Sequence, residues 1–195
     1  MASLVPSALA IHPSTEASRW LLRIAAVVLG STALWASAKM QVPFWPVPMT
    51  MQTYVVLSFG ALFGWRLGAA TLAAYLGEGA LGLPVFAGTP ANGVGFAYIA
   101  GPTGGYLAGY FVAILLVGGL ADIRRNPSIL RTATALIVGE LAILCLGALW
   151  LSVQFGWEKA FAFGFGPFLV GDALKLVLAA GAIAYARPLI AADDA

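Results

Sequence analysis

Reactive side chains are nearly missing from this chain: 195 residues contain one cysteine, Cys145, and one histidine, His12. A lone cysteine excludes an intrachain disulfide and leaves no second thiol to share a metal. With His12 in the N-terminal stretch, an intramembrane zinc site and a histidine-based catalytic dyad are excluded too. Charge is scarce. Only 9% of residues are Asp, Glu, Lys or Arg, against about 25% in soluble globular chains. The net charge of +2 is spread out, so nucleic acid is not an expected partner. No GxxxxGK(S/T) run occurs, which removes P-loop ATP hydrolysis from this chain. No inverted repeat is visible, against the internal symmetry of many secondary transporters.

What fills the chain is apolar. Hydrophobic residues make up 61% of it, and the mean hydropathy is +0.92, as in an all-α membrane protein of one domain. A spanning helix needs about 17–25 mostly apolar residues. Six segments qualify: 20–38, 49–65, 67–83, 103–121, 132–153 and 166–186. The stretch 84–102 (PVFAGTPANGVGFAYIAGP) is rich in Gly and Pro and reads as an irregular loop folded back over the helices. In this six-helix bundle Arg19, Arg23, Arg66, Arg124, Arg125, Arg131 and Arg187 share one side, and Lys39 and Lys159 lie on the other. The arginine-rich side is expected in the cytoplasm, with both termini. A seventh span at 84–102 would carry Arg124, Arg125 and Arg131 outside. The expected organisation is a cytoplasmic tail at 1–19, a membrane domain at 20–187 and a short tail at 188–195. Residues 1–18, with Pro6, Pro13 and Glu16, lack the compact apolar core of a cleaved signal peptide.

Small residues recur at helical spacing. Gly60, Gly64 and Gly68 are four apart, as are Gly105 and Gly109, and the first span carries Ala26 with Gly30 and Ala33 with Ser37. Such pairs let membrane helices approach closely. On the first span they serve either packing within the chain or docking on a partner subunit.

The polar residues of the membrane segments gather at the outer end. Asp172 and Lys175 are three apart in the last span, hence on one helix face, and charge at membrane depth is costly enough to point to a binding role. A structural ion pair is the plainer alternative. Thr50, Gln52 and Glu78 fall near the same level, and Asn92 lies in the outer loop. Trp45, Phe86, Phe96 and Tyr98 add aromatic surface. Apolar walls with a few placed polar groups are the composition of a small-molecule pocket, here capped by 84–102. Each group has a duller account: Glu78 and Gln52 as partners of neighbouring helices or backbone, Asn92 as a turn residue, Trp45 and Tyr98 as interfacial aromatics. Glu140, midway along the fifth span, reads as a helix–helix hydrogen bond carried by a neutral carboxyl. Pro43, Pro46 and Pro48 in VPFWPVPMTMQT fix an extended path into the second span.

Four motifs in order, VPMTMQT (47–53), GLPVFAG (82–88), GPTGGY (101–106) and GDALK (171–175), closely resemble the BioY family, the biotin-specific substrate-binding subunits of energy-coupling factor transporters. The resemblance spans about 20–186. It implies six membrane helices in a bacterial cytoplasmic membrane, both ends inside, and an outward-facing biotin site. It also implies transport energised by a transmembrane coupling subunit and two ATPases. Asp172 and Lys175 match the family's biotin-binding aspartate and lysine. In place of the family's AxxxA pattern on the first helix, this chain has Ala26–Gly30 and Ala33–Ser37. Solitary action, or action as a homo-oligomer, stays open for some members. No cofactor is implied. The candidate ligand residues are Asp172, Lys175, Asn92, Gln52, Tyr98, Trp45, Phe86 and Glu78, and the candidate partner residues are Ala26, Gly30, Ala33 and Ser37. The alternatives are the same fold serving another small vitamin or a biotin precursor, and a non-transporting scaffold. An intramembrane aspartyl protease would need a second aspartate facing Asp172.

Overall fold

A computed structural model describes residues 16–43, 45–123 and 127–191, without side chains from 187 onward. Most of the two expected tails, and the orientation markers Arg124 and Arg125, lie outside the described residues. Among those described the protein is all-helical apart from one short hairpin. The elements are α1 (Glu16–Lys39), β1 (Gln41–Val42), β2 (Met49–Thr50), α2 (Gln52–Ala80), α3 (Phe96–Ile99), α4 (Gly104–Leu120), α5 (Ile129–Phe155), α6 (Trp157–Gly164) and α7 (Phe168–Ala191). α1, α5 and the Phe168–Ala186 part of α7 are long and apolar enough to cross a membrane, as is α2 by its total length, and α4 is a shorter apolar helix.

The expected second and third spans form one element, α2, broken at Gly64, whose φ of 72° and ψ of 171° leave the helical region. Glycine adopts that left-handed φ without steric cost. The two arms then run side by side in opposite directions. The Gln52 side chain reaches the Tyr75 hydroxyl at 2.8 Å, and a Cβ on Gly68 would touch the Phe59 carbonyl oxygen at 3.4 Å. α1 lies against this hairpin, and α4 packs on its other side.

Small residues set the approach of the helices. A Cβ on Gly118 would come within 2.3 Å of the Trp65 backbone nitrogen, and one on Gly109 within 2.7 Å of the Ile143 Cα. Only a bare backbone fits at either contact. Leu34, Leu57, Leu72, Ile114, Leu136, Ile143, Leu144 and Leu151 fill the interior. The outer faces carry exposed Leu21, Leu29, Ile129, Val153, Val170 and Val177, a surface suited to lipid rather than water. Ser128 caps α5, its hydroxyl accepting from the Arg131 backbone N–H at 3.2 Å.

At one end the chain is irregular. β1 and β2 pair antiparallel, Gln41 opposite Thr50 and Val42 opposite Met49. The Pro-rich stretch between them delivers Thr50 and Gln52 to the start of α2. The loop after α2 crosses the same end as a series of turns with the single-turn α3, as its Gly and Pro content predicts. α6 is a further short helix there that hydropathy alone did not separate.

Candidate functional site

The polar residues of α2 and α7 meet beneath this loop. Asp172 and Lys175 share one face of α7 because they are three residues apart, and the structure pairs them: Lys175 Nζ donates to Asp172 Oδ1 at 2.7 Å. Their side chains are 1% and 7% exposed, so this ion pair is taken out of water rather than screened by it. The second carboxylate oxygen, Asp172 Oδ2, is buried without a hydrogen-bond partner.

These two residues line a cavity walled by Val47, Thr50, Gln52, Phe86, Tyr98, Tyr106, Tyr110 and Phe168, among others. Its free volume is about 30 Å³, room for roughly one water. Ligand pockets run to about 300–1,000 Å³. The site is therefore built but closed, and the groups that close it are on the loop.

Phe86 is the plug. It is 1% exposed, stacks on Tyr98 with centroids 4.7 Å apart, and meets Tyr75 edge-on at 5.4 Å. Tyr75 also ties the loop to α2: its hydroxyl accepts from Gln52 Nε2 and donates to the Val85 carbonyl at 3.1 Å. Lys39, at the end of α1, donates to the Phe86 carbonyl at 2.8 Å and to the Thr89 hydroxyl at 3.0 Å. Burial raises the Tyr98 phenol above its usual range, so it stays neutral beside the cavity.

Five of the eight sequence-derived ligand candidates line the cavity: Asp172, Lys175, Gln52, Tyr98 and Phe86. Three are placed elsewhere. Glu78 accepts from the Ser31 hydroxyl at 2.6 Å and joins α1 to α2. Trp45 is 68% exposed and packs edge-on against Phe155 and Phe163. Asn92 sits in an exposed turn of the loop, its backbone N–H on the Gly88 carbonyl. Tyr106, Tyr110 and Phe168 were missed. Tyr106 stacks on Phe168 at 5.9 Å and donates to the Gly164 carbonyl. Its place at the end of GPTGGY, at the level of Asp172, was the available signal.

The four small residues of α1 also divide. Gly30 is buried against α2, where a Cβ would meet Thr71 Cγ2 at 2.5 Å. Ser37 is buried, its hydroxyl on the Leu34 carbonyl. Ala26 and Ala33 are half-buried at the edge of the same seam. This face packs largely within the chain.

The site's chemistry follows from its parts. A paired cation and carboxylate, several hydroxyls and aromatic faces suit a small molecule bearing an anionic group, hydrogen-bonding polar atoms and apolar rings or chain. Known proteins resemble this chain over most of its length. Residues 12–192 match the BioY family profile. A probable biotin transporter BioY of Pyrococcus horikoshii is 37% identical over 143 residues, covering 73% of this chain and 82% of that protein. A biotin transporter BioY of Thermotoga maritima is 35% identical over 144 residues, with 73% and 82% covered. The fold matches a crystal structure of the S-component for biotin from an ECF-type ABC transporter, with a TM-score of 0.73 and 21% identity, over 90% of this chain and 95% of that one.

Proposed function

The chain belongs to the BioY family, and from that premise we propose that it captures biotin at the loop-covered cavity, as the substrate-binding subunit of an energy-coupling factor transporter. The observation that carries the reading is the buried Lys175–Asp172 pair set among aromatic rings at the bottom of a closed cavity. Biotin has the matching groups. Its valerate carboxylate needs a cation, and Lys175 is the cation of this cavity. Its ureido N–H groups need an acceptor, and Asp172 supplies one. Its fused rings and aliphatic chain match Phe86, Tyr98, Tyr106 and Phe168. Because Lys175 and Asp172 hold each other, the ligand competes with that contact and must supply a partner for each.

Binding also requires the loop to lift. Phe86 and Val85 leave together, since Tyr75 and Lys39 hold them by backbone carbonyls. Asn92 rides on the same loop, and its carboxamide is the polar group that reclosure over a ligand would bring.

The arms of α2 count as two crossings, which gives six with α1, α4, α5 and α7. The loop end then faces outward, and the Gly64 end, with Arg66 and Arg131, faces the cytoplasm together with both termini. The fold is a multi-pass membrane protein of the bacterial cytoplasmic membrane. As a subunit of such a transporter it takes its energy from a transmembrane coupling subunit and two ATPases. With Gly30 and Ser37 inside the chain's own seam, contact with that subunit on α1 falls to Ala26, Ala33 and the exposed side chains beside them.

Equilibrium binding of labelled biotin to purified, monodisperse protein tests the reading. Saturable binding below the micromolar range is expected, with competition by unlabelled biotin and not by other vitamins. Displacement by a different vitamin at lower concentration would assign the same site to that compound, and no saturable binding would remove the assignment.

A further inference from the structure

Below the cavity a second carboxyl has no role in the reading above. Glu140 lies midway along α5, 3% exposed, and neither of its oxygens has a hydrogen-bond donor. Its side chain contacts Asp172 and feels the charge of Lys175. Asp172 in turn has one oxygen on Lys175 and the other, Oδ2, unpartnered. Three buried carboxyl oxygens are thus without donors, and Ile143 and Leu144, one turn along α5 from Glu140, line the same cavity as Asp172 and Lys175.

Among the described residues, the other groups lining this level supply no second cation. α7 contributes Asp172 and Lys175. α4 contributes Tyr110 and Tyr106, both buried and lining the same cavity as Thr50, Asp172 and Lys175. α2 meets the adjoining Gly139 with Leu57. Two ionised carboxylates sharing such a site repel each other, and one keeps its proton. A bare carboxylate at membrane depth is costly besides. A hydrogen on one carboxyl turns two facing acceptors into a donor and an acceptor.

We propose that Glu140 and Asp172 form a buried proton site, with the protonated Glu140 carboxyl donating to Asp172 Oδ2. The cluster is then neutral overall: Lys175 positive, Asp172 negative, Glu140 uncharged. Glu140 is a positioning residue that acts through Asp172. Its role becomes plain when a ligand carboxylate draws Lys175 away. Without the Glu140 proton, Asp172 would lose its cation while facing a second buried carboxylate, with only the ligand's ureido N–H left as donor. With it, Asp172 keeps a donor and a fixed orientation while Lys175 turns to the ligand. This use of the site rests on the biotin reading; the proton itself does not.

Two measurements on the intact purified protein separate these layers. Infrared spectroscopy without ligand should show a protonated carboxylic C=O band that shifts in deuterated buffer and disappears in Glu140→Gln. Absence of that band in the native protein, or its persistence in Glu140→Gln, overturns the proton site whether or not biotin binds. The second measurement is biotin affinity across neutral to alkaline pH. Glu140→Gln keeps a donor of similar shape and should weaken binding at neutral pH by no more than about three-fold. Glu140→Leu fills the space without a donor and should weaken it by about ten-fold or more. As pH rises, the native protein should lose affinity when the shared proton leaves, and Glu140→Gln should lose less. If both lose affinity together, the loss belongs to Lys175 and the positioning role is overturned. Equal affinity in the native protein and well-folded Glu140→Leu overturns it as well.

Discussion

The two ends of the bundle are held together by different means. At the Gly64 end, α2 and α4 interlock closely: Gly118 lies on the Trp65 backbone and Gly60 against the base of the Val117 side chain, with no room for a Cβ at either. At the loop end α4 also meets α5 through backbone, a Cβ on Gly105 coming within 2.5 Å of the Leu146 carbonyl oxygen, but the loop itself is held by side chains: Lys39 on Phe86 and Thr89, Tyr75 on Val85, Phe86 on Tyr98, Trp150 on the Gly101 carbonyl. Interlocked backbone has one arrangement. A loop pinned by a few hydrogen bonds and stacked rings can be released and reset, because each tie contributes only about 0.5–1.5 kcal/mol. The comparison explains why the cavity is at the loop end: the rigid end fixes the spacing of α2 and α4, and the releasable loop opens what the helices enclose.

The strongest break of this contrast is at the rigid end. Gly118→Leu forces a side chain into the Trp65 backbone, which cannot turn aside as a flexible side chain would. Overpacking costs typically about 1–3 kcal/mol and more where nothing can yield. The expected result is little folded protein, read by size-exclusion profile and thermal unfolding in detergent. Gly181→Leu, where a Cβ would meet nothing within 4 Å, should fold normally.

Next is the floor of the cavity. Lys175→Ala strips a buried carboxylate of its counter-charge. Truncating one member of a buried charge pair costs about 2–5 kcal/mol, or roughly 30-fold to several thousand-fold in biotin affinity. Asp172→Asn keeps the shape and loses the charge, and it should fall between native and Lys175→Ala in the same titration.

Smaller effects belong to the loop. Phe86→Ala removes the stack on Tyr98 and the edge contact with Tyr75, each worth about 0.5–1.5 kcal/mol beyond area. Biotin should dissociate faster, by about ten-fold, as measured by stopped-flow release. Lys39→Met deletes the tie from α1 to the loop and leaves the cavity lining intact. Its expected signature is faster amide exchange over 84–92, with an affinity change of only a few-fold. An exchange rate unchanged in Lys39→Met would show that Lys39 does not restrain the loop.

Much of this was legible in the sequence where a single physical rule dominates. The apolar runs mark the helices, and the Gly- and Pro-rich stretch marks the irregular loop. The three-residue spacing of Asp172 and Lys175 puts them on one face whatever surrounds them. Gly64 was read as a packing glycine, whereas it is the bend that folds α2 into a hairpin; spacing reports proximity along a helix and not the sign of φ. Gln52, Phe86 and Tyr98 reach the cavity as expected, because each lies on an element whose path is fixed locally. Glu78 and Trp45 do not line it, since depth along a helix says nothing of azimuth: Glu78 points to α1 and Trp45 to α5 and α6. Tyr106 and Tyr110 went unseen for the converse reason. Their stretch of α4 is otherwise apolar, and the packing of α4 against α2 and α5 is what turns them to the cavity. The small residues of α1 fit both a self-seam and a partner face by composition, and Thr71 shows that Gly30 belongs to the first.

The central claim is that the Lys175–Asp172 pair opens to receive biotin, with Lys175 meeting its carboxylate. Titrating biotin and biotin methyl ester against the native protein and Lys175→Ala tests this most directly. The ester should bind the native protein far more weakly than biotin does, and the penalty of Lys175→Ala should largely vanish with the ester. If Lys175→Ala weakens biotin and its ester equally, Lys175 does not meet the carboxylate and serves only as the structural partner of Asp172.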